Sequence, residues 1–142
     1  MNELPTSNIQ DQNNNQINEN KSQKPKIYDI RERLFLFSRR ILQICRNLPN
    51  SAECEVIKKQ LSKAGTSIGA NFEEADGALT KRDFVNKVAI ARKEAKETKY
   101  WLRIVNDVSV YRVNLTDDNR EAEEIICILS SILKKCGHKF RI

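Results

Sequence analysis

Residues 67–104, SIGANFEEADGALTKRDFVNKVAIARKEAKETKYWLRI, decide the fold that the sequence predicts. Apolar residues recur in this stretch at steps of three and four, which is the spacing of one face of an α-helix. Thr80 and Asp83 form a predicted capping box, and Gly77 just before them is a residue type at which helices commonly end. The stretch therefore predicts two helices joined by a short link, and a short link makes them antiparallel neighbours.

The same spacing predicts one further helix on either side of this hairpin. The first begins at Ile27 and is ended by Pro49, and Asn50 with Glu53 predicts the N-cap of the second. Before the fourth helix, residues 116–118 supply Thr-Asp-Asp, which are cap-forming and acidic residues. We therefore expect four consecutive helices.

Each helix carries one apolar stripe, and the last one ends at Gly137 after Lys134 and Lys135, as helix C-termini prefer. The predicted core positions are Ile27, Ile30, Leu34, Phe37, Ile41, Cys45 and Leu48 on the first helix; Ile57, Leu61, Ala64, Ile68, Phe72, Ala75 and Leu79 on the second; Phe84, Val88, Ala91, Ala95, Leu102 and Val105 on the third; and Ala122, Ile125, Ile126, Leu129, Ile132, Leu133 and Cys136 on the fourth.

Length and composition agree with this architecture. The chain has 142 residues, 39% of them hydrophobic and 31% charged, which is typical of one globular domain. We expect an all-α, up-down antiparallel four-helix bundle over residues 26–142, preceded by a disordered Asn/Gln-rich tail over residues 1–25. The start of the sequence has neither the basic nor the apolar region of a signal peptide, so the expected location is the cytoplasm.

The formal net charge of +6 belongs to the predicted bundle, because the acidic and basic residues of the tail balance. On the third helix, the spacing of four cations places them within about 60° of one another, with a fifth on the same side. We name these five the cationic stripe: Lys81, Arg92, Lys96, Lys99 and Arg103. They are the predicted nucleic-acid-binding residues, and the alternative is an ordinary solvated helix face.

A second apolar face lies on the third helix, away from its core stripe. Ile90, Trp101 and Ile104 point in this direction, with Glu94 and Glu97 beside them. Apolar surface beyond what a four-helix core needs indicates an oligomer interface. The alternative is that Trp101 folds into a wide core of a monomer. On the second helix, Gly65 and Gly69 with Ser62 and Thr66 predict a close approach of another backbone.

A row of polar residues borders the apolar stripe of the hairpin: Ser67, Asn71, Glu74, Glu94 and Glu97. We interpret it as a structural row of buried polar groups that satisfy one another. Carboxylate metal sites in helical bundles use Glu-x-x-His pairs, and the one histidine, His138, follows the last helix. No metal, no cofactor and no catalytic residue is predicted, and the four cysteines are expected to be buried thiols.

The segments SIGANFEEA and KRDFVNKVAIARKEAKETKYWLRI resemble the four-helix bundle family of proteins encoded within 23S rRNA intervening sequences. The resemblance covers about residues 30–136 and departs from the commonest family form at residues 74–77 and in the long tail. The matching residues are Ser67, Ile68, Ala70, Asn71, Glu74, Asp83, Phe84, Glu94, Ala95, Glu97, Thr98, Tyr100, Trp101 and Leu102.

This resemblance implies a homopentameric ring. It also implies kinship with the accessory protein of diversity-generating retroelements, a basic bundle that binds nucleic acid and a reverse transcriptase. Two function classes follow. One is a non-enzymatic oligomer that binds RNA or DNA through the cationic stripe, and the other is a protein–protein scaffold whose positive charge is incidental. The partners expected are the chain itself, RNA or DNA, and a reverse transcriptase or other protein, with no membrane.

Removing residues 1–24 is expected to leave the melting temperature nearly unchanged, because their composition buries too little apolar surface to support packing. Thermal unfolding of the full and shortened chains, followed by circular dichroism, measures this. A large drop in melting temperature for the shortened chain would show that the tail docks on the bundle.

Overall fold

The computed structural model of the chain describes residues 27–108 and 111–139. Four α-helices account for most of these residues: α1 (Ile27–Asn47), α2 (Ala52–Asp76), α3 (Lys81–Asp107) and α4 (Thr116–Lys135). The described ranges contain no β-strand. The all-α prediction is therefore confirmed, whereas the predicted tail over residues 1–25 lies outside the described residues.

Two of the predicted helix ends are confirmed in detail. The Thr80 side chain accepts a hydrogen bond from the Asp83 N–H at 3.1 Å and caps α3. At the end of α4, Gly137 has a φ of 82°, a left-handed conformation that favours glycine. The His138 N–H donates to the Leu133 carbonyl and the Gly137 N–H to the Lys134 carbonyl, so the last carbonyls of α4 are satisfied.

Two other predicted caps are wrong. The N-cap of α2 is Ser51, whose hydroxyl accepts from the Cys54 N–H, while Asn50 accepts a hydrogen bond from Lys58 instead.

At the start of α4 the N-cap position is Leu115, which has no capping side chain. Loop and helix-end asparagines replace it: the Asn106 side chain accepts from the Leu115 N–H at 2.7 Å and the Asn114 side chain from the Thr116 N–H at 3.1 Å.

Contacts between helices show that each runs antiparallel to the one before it. Between α1 and α2, Arg31 near the start of α1 binds Glu73 near the end of α2, and the Ser38 hydroxyl donates to the Gly65 carbonyl at 2.9 Å. Between α2 and α3, Lys87 pairs with Glu74 at 2.6 Å. Between α3 and α4, Arg92 donates to Ser130 and Lys99 pairs with Glu123, so α4 runs antiparallel to α3. The four helices therefore follow one another around the bundle in chain order.

One hydrophobic core is shared by all four helices. Most predicted core positions are buried, and Ile44, which the predicted stripe omitted, is buried as well. Leu79 is a wrong core prediction: it follows the end of α2 and is 99% exposed. The prediction that all four cysteines are buried is wrong for two of them. Cys45 and Cys54 are buried, whereas Cys127 is exposed and Cys136 is half-buried. Burial raises the pKa of the Cys45 thiol above its usual value.

Ion pairs join α1 to α4, so the first and last helices of the bundle are also neighbours. Arg33 binds Glu121 through Nε at 2.6 Å and also binds Glu124. Arg40 binds both carboxylate oxygens of Asp118, at 2.8 and 3.2 Å. The hydrogen bond to Glu121 raises the pKa of the Arg33 guanidinium above its usual value. Asp118, which the sequence suggested as a capping residue, is thus a buried partner of α1.

The close approach predicted at the small residues of α2 is made by α1 of the same chain. A Cβ on Gly65 would lie 2.6 Å from Cγ2 and 2.9 Å from Cγ1 of the buried Ile41 side chain. A Cβ on Gly69 would lie 3.6 Å from the Ser38 hydroxyl, its nearest neighbour, which is ordinary contact. Of these two glycines, only Gly65 is therefore required by packing within the chain. The close packing of α1 that it allows compensates for its low helix propensity.

We expect the Gly65→Ala variant to lose about 1–2 kcal/mol of unfolding free energy, because overpacking costs about 1–3 kcal/mol and alanine restores up to about 1 kcal/mol of helix propensity. Gly69→Ala is the matched control on the same helix. It should be neutral or stabilising by up to about 1 kcal/mol, since its Cβ meets no clash. Urea unfolding measures both, and equal stability of the two variants would contradict the packing role of Gly65.

Candidate nucleic-acid interface and neighbouring faces

The cationic stripe lies along α3 as the spacing predicted, from its first residue to its last turn but one. Lys81, Lys96 and Arg103 are exposed, whereas Arg92 and Lys99 are half-buried. At 1.5 Å per residue, the stretch from Lys81 to Arg103 is about 33 Å long. A cation in the first turn opposes the helix dipole, so helix stability does not explain Lys81.

Two members of the stripe make contacts with α4. The Arg92 Nε donates to the Ser130 hydroxyl at 2.7 Å. The Lys99 ammonium forms an ion pair with Glu123. The stripe itself contains no acidic residue, but the packing of α4 brings the Glu123 carboxylate beside it.

The other three members of the stripe remain unpaired. Lys81, Lys96 and Arg103 form no ion pair with any residue that the structure describes. Paired side chains position the helix, while unpaired cations are available to an external anion. The stripe thus consists of three available cations with two structural ones between them.

The predicted interface residues lie on the opposite flank of α3, towards α2. Ile90 is 38% exposed, and Ile104 and Trp101 are half-buried. The Trp101 ring packs against the core, and its Nε1 donates to Glu97 at 3.4 Å. Trp101 therefore contributes to the core of the single chain while its remaining surface stays on this flank.

The predicted polar row occupies the α2–α3 border, but its members do not satisfy one another through side-chain pairs. The Ser67 hydroxyl donates to the Lys63 carbonyl and the Asn71 amide to the Ser67 carbonyl, both within α2. Glu74 is exposed rather than buried and pairs with Lys87 across to α3. Glu94 and Glu97 are half-buried and form no ion pair among the described residues.

Thr98 is a buried polar residue that was not predicted as such. It is fully buried, and its hydroxyl donates to the Glu94 carbonyl at 2.8 Å. Its position in the apolar stripe of α3 could have predicted this burial from the sequence. A threonine in a core stripe is satisfied by the carbonyl one turn earlier, as it is here.

A second surface was also missed, on α1 where it borders α2. Phe35 is 60% exposed and Leu42 is 48% exposed, seven residues apart on one side of α1. Arg39 and Arg46 lie at the same spacing between and beyond them. The sequence could have indicated this surface, because α1 carries more apolar residues than one core-facing stripe can hold.

Among the residues that the structure describes, no three or more His, Cys, Asp or Glu side chains cluster so that they could hold a metal ion.

None of the four described helices combines the length and apolar character needed to cross a membrane.

Comparisons with known proteins give a family but no function. The family model of the 23S rRNA-intervening sequence protein matches residues 26–133. A crystal structure from Bacteroides thetaiotaomicron, of a protein with unknown function from the S23 ribosomal protein family, is similar with a TM-score of 0.67. The two sequences are 36% identical over 74% of this chain and 98% of that one. No curated protein matches the chain.

The matched segment contains α1, α2, α3 and all but the last two residues of α4. The match therefore rests on the whole bundle and not on one motif. The chain belongs to the family of 23S rRNA-intervening sequence proteins.

Proposed function

We propose that the protein is a non-enzymatic, oligomeric bundle that binds nucleic acid, RNA above all, through the cationic stripe. The observation that carries the proposal is the line of exposed, unpaired cations Lys81, Lys96 and Arg103 along α3. The family description, which refers to an intervening sequence of 23S rRNA, supports RNA as the nucleic acid.

Such a stripe binds the phosphate backbone. Lysine and arginine neutralise phosphates and release condensed counterions, so the affinity falls steeply as the salt concentration rises. Contacts of this kind orient the protein on the strand but do not read its bases. The expected binding is therefore sensitive to salt and weakly dependent on sequence.

Assembly strengthens such contacts. We propose a homopentameric ring whose interface includes Ile90, Trp101 and Ile104, so that each ring carries several copies of the stripe. Linked copies bind with an effective concentration that raises the avidity above the affinity of one copy. Modest binding by each stripe is then sufficient.

A second candidate function is supported by the exposed side chains of Leu36 on α1 and Tyr100 on α3. Under this alternative the ring is a scaffold for another protein, such as a reverse transcriptase, and the charge of the stripe is incidental. Salt distinguishes the two, because apolar association does not weaken steeply between low and physiological salt.

Replacing Lys96 and Arg103 together by Gln should weaken RNA binding and flatten its dependence on salt. We expect the slope of log affinity against log salt to decrease by up to about two units, roughly one for each phosphate that the variant no longer neutralises. Helicity should persist, since Gln is a comparable helix former. Fluorescence titration of a labelled single-stranded RNA at several salt concentrations measures both quantities.

The matched control is Lys59→Gln with Lys63→Gln, which removes two exposed, unpaired cations from α2. It changes the net charge equally but leaves the stripe intact, so its slope should stay close to that of the unmodified protein. Extending the stripe variant with Arg92→Gln and Lys99→Gln should add less than the first pair did. Equal affinity and slope for the stripe variants and the unmodified protein would remove the stripe from the mechanism and favour the scaffold.

A further inference from the structure

Four residues of α1 form a surface that neither the core nor the cationic stripe uses. Phe35, Arg39, Leu42 and Arg46 fall within about 60° of one another around α1, on the side that borders α2. All four are exposed, and neither arginine forms an ion pair with a described residue. We name this surface the α1–α2 face.

The α1–α2 face includes a shallow groove with a volume of about 200 Å³. Phe35 lies along one side of it, and Thr66, Gly69 and Ala70 of α2 line the other. Gly69 has room for a Cβ, so packing within the chain does not require a glycine there. Small residues beside an exposed aromatic ring leave space for side chains of another helix.

The border between α2 and α3 has the complementary chemistry. We name it the α2–α3 face: Ile90, Trp101 and Ile104 supply its apolar surface and Glu94 and Glu97 its negative charge, and Lys93 lies at its edge beside Ile90. The α1–α2 face combines apolar residues with unpaired arginines, and the α2–α3 face combines them with unpaired glutamates. Two faces that both carry apolar surface and carry opposite charges attract each other, whereas two copies of the same face repel through their like charges.

The residues of the two faces also lie at matching heights along the bundle. Because Arg31 pairs with Glu73 and Lys87 with the adjacent Glu74, Arg31 and Lys87 lie at the same level. Both α1 and α3 run antiparallel to α2, so they rise together from that level. At an equal rise per residue, the 35–46 stretch of α1 lies level with about residues 91–102 of α3.

We propose that the α1–α2 face of one copy binds the α2–α3 face of the next copy of this chain. Phe35 then lies near Ile90, Arg39 near Glu97 and Leu42 near Trp101. The proposal rests on the assembly stated under the proposed function and identifies the surface that receives Ile90, Trp101 and Ile104.

The arrangement of the helices allows repeated contacts of this kind to form a closed ring. The two faces meet at α2 and are adjacent sides of the bundle, at roughly 90° to each other. A contact between two different faces is heterologous, and it builds a ring when each copy turns relative to the last. Turns of this size correspond to a ring of about four or five copies. The cationic stripe, on the α3–α4 side, stays outside both contacts.

Charge reversal with rescue tests the pairing. Arg39→Glu and Glu97→Lys should each raise the dissociation constant of the assembly at least about tenfold, because each places like charges together across the contact. The double variant should recover most of the loss. Light scattering from 1 to 100 micromolar measures the mass, and circular dichroism checks that every variant is folded. Lys139→Glu, an exposed change beyond α4, is the control for the net-charge change of Arg39→Glu and should assemble normally.

Phe35→Ala provides a second route that does not depend on charge. Because Phe35 is 60% exposed, its removal should leave the melting temperature of the dissociated chain nearly unchanged while assembly is abolished. A double charge variant that stays dissociated while Phe35→Ala assembles normally would overturn the proposal.

Two results separate failure of this pairing from failure of the assembly itself. If the unmodified protein is a monomer of about 16.4 kDa at 100 micromolar, the proposed assembly is wrong and this pairing falls with it. If the unmodified protein assembles and both single charge variants assemble equally well, only the pairing is overturned. If Arg39→Glu assembles but no longer binds RNA, the α1–α2 face meets nucleic acid instead of a second copy.

Discussion

The seating of Ile41 against Gly65 is the contact on which the other surfaces of the molecule depend. With no side chain on Gly65, the Ile41 side chain approaches the α2 backbone, and the Ser38 hydroxyl donates to the Gly65 carbonyl beside it. This close fit fixes how α1 is rotated about its own axis. The same rotation directs Arg33 and Arg40 towards α4 and leaves Phe35 and Leu42 exposed beside α2.

The rotation of α1 also determines where the positive charge of the bundle remains. Arg31, Arg33 and Arg40 are paired with carboxylates of α2 and α4, so much of the basic charge of α1 is neutralised within the chain. Beside α3, Glu123 of α4 pairs with one lysine of the stripe, Lys99. The unpaired positive charge therefore lies on surfaces that are distinct from the α1–α4 border, which is held by ion pairs.

Periodicity predicted the helices and most of the core, because burial on a helix depends on spacing that a single sequence displays. What it could not predict depends on partners far away in the chain. Asp118 resembles a capping residue until Arg40 is placed beside it, 78 positions earlier. Glu123 enters the stripe only because α4 packs beside α3. Leu79 continues the apolar spacing of α2, but the helix ends at Asp76 before reaching it.

The variety of residue types in the 67–104 hairpin follows from the number of neighbours that α3 has. One side of α3 faces the core and needs Ala91, Ala95 and Leu102, whose sizes allow close packing. The side towards α4 holds the cations, and the side towards α2 holds Ile90 and Trp101. A helix bounded by two neighbours and a core has two flanks at the surface, each free to acquire its own chemistry. Opposite chemistries on those flanks let one face of the bundle bind a copy of the chain while the other stays open to phosphate.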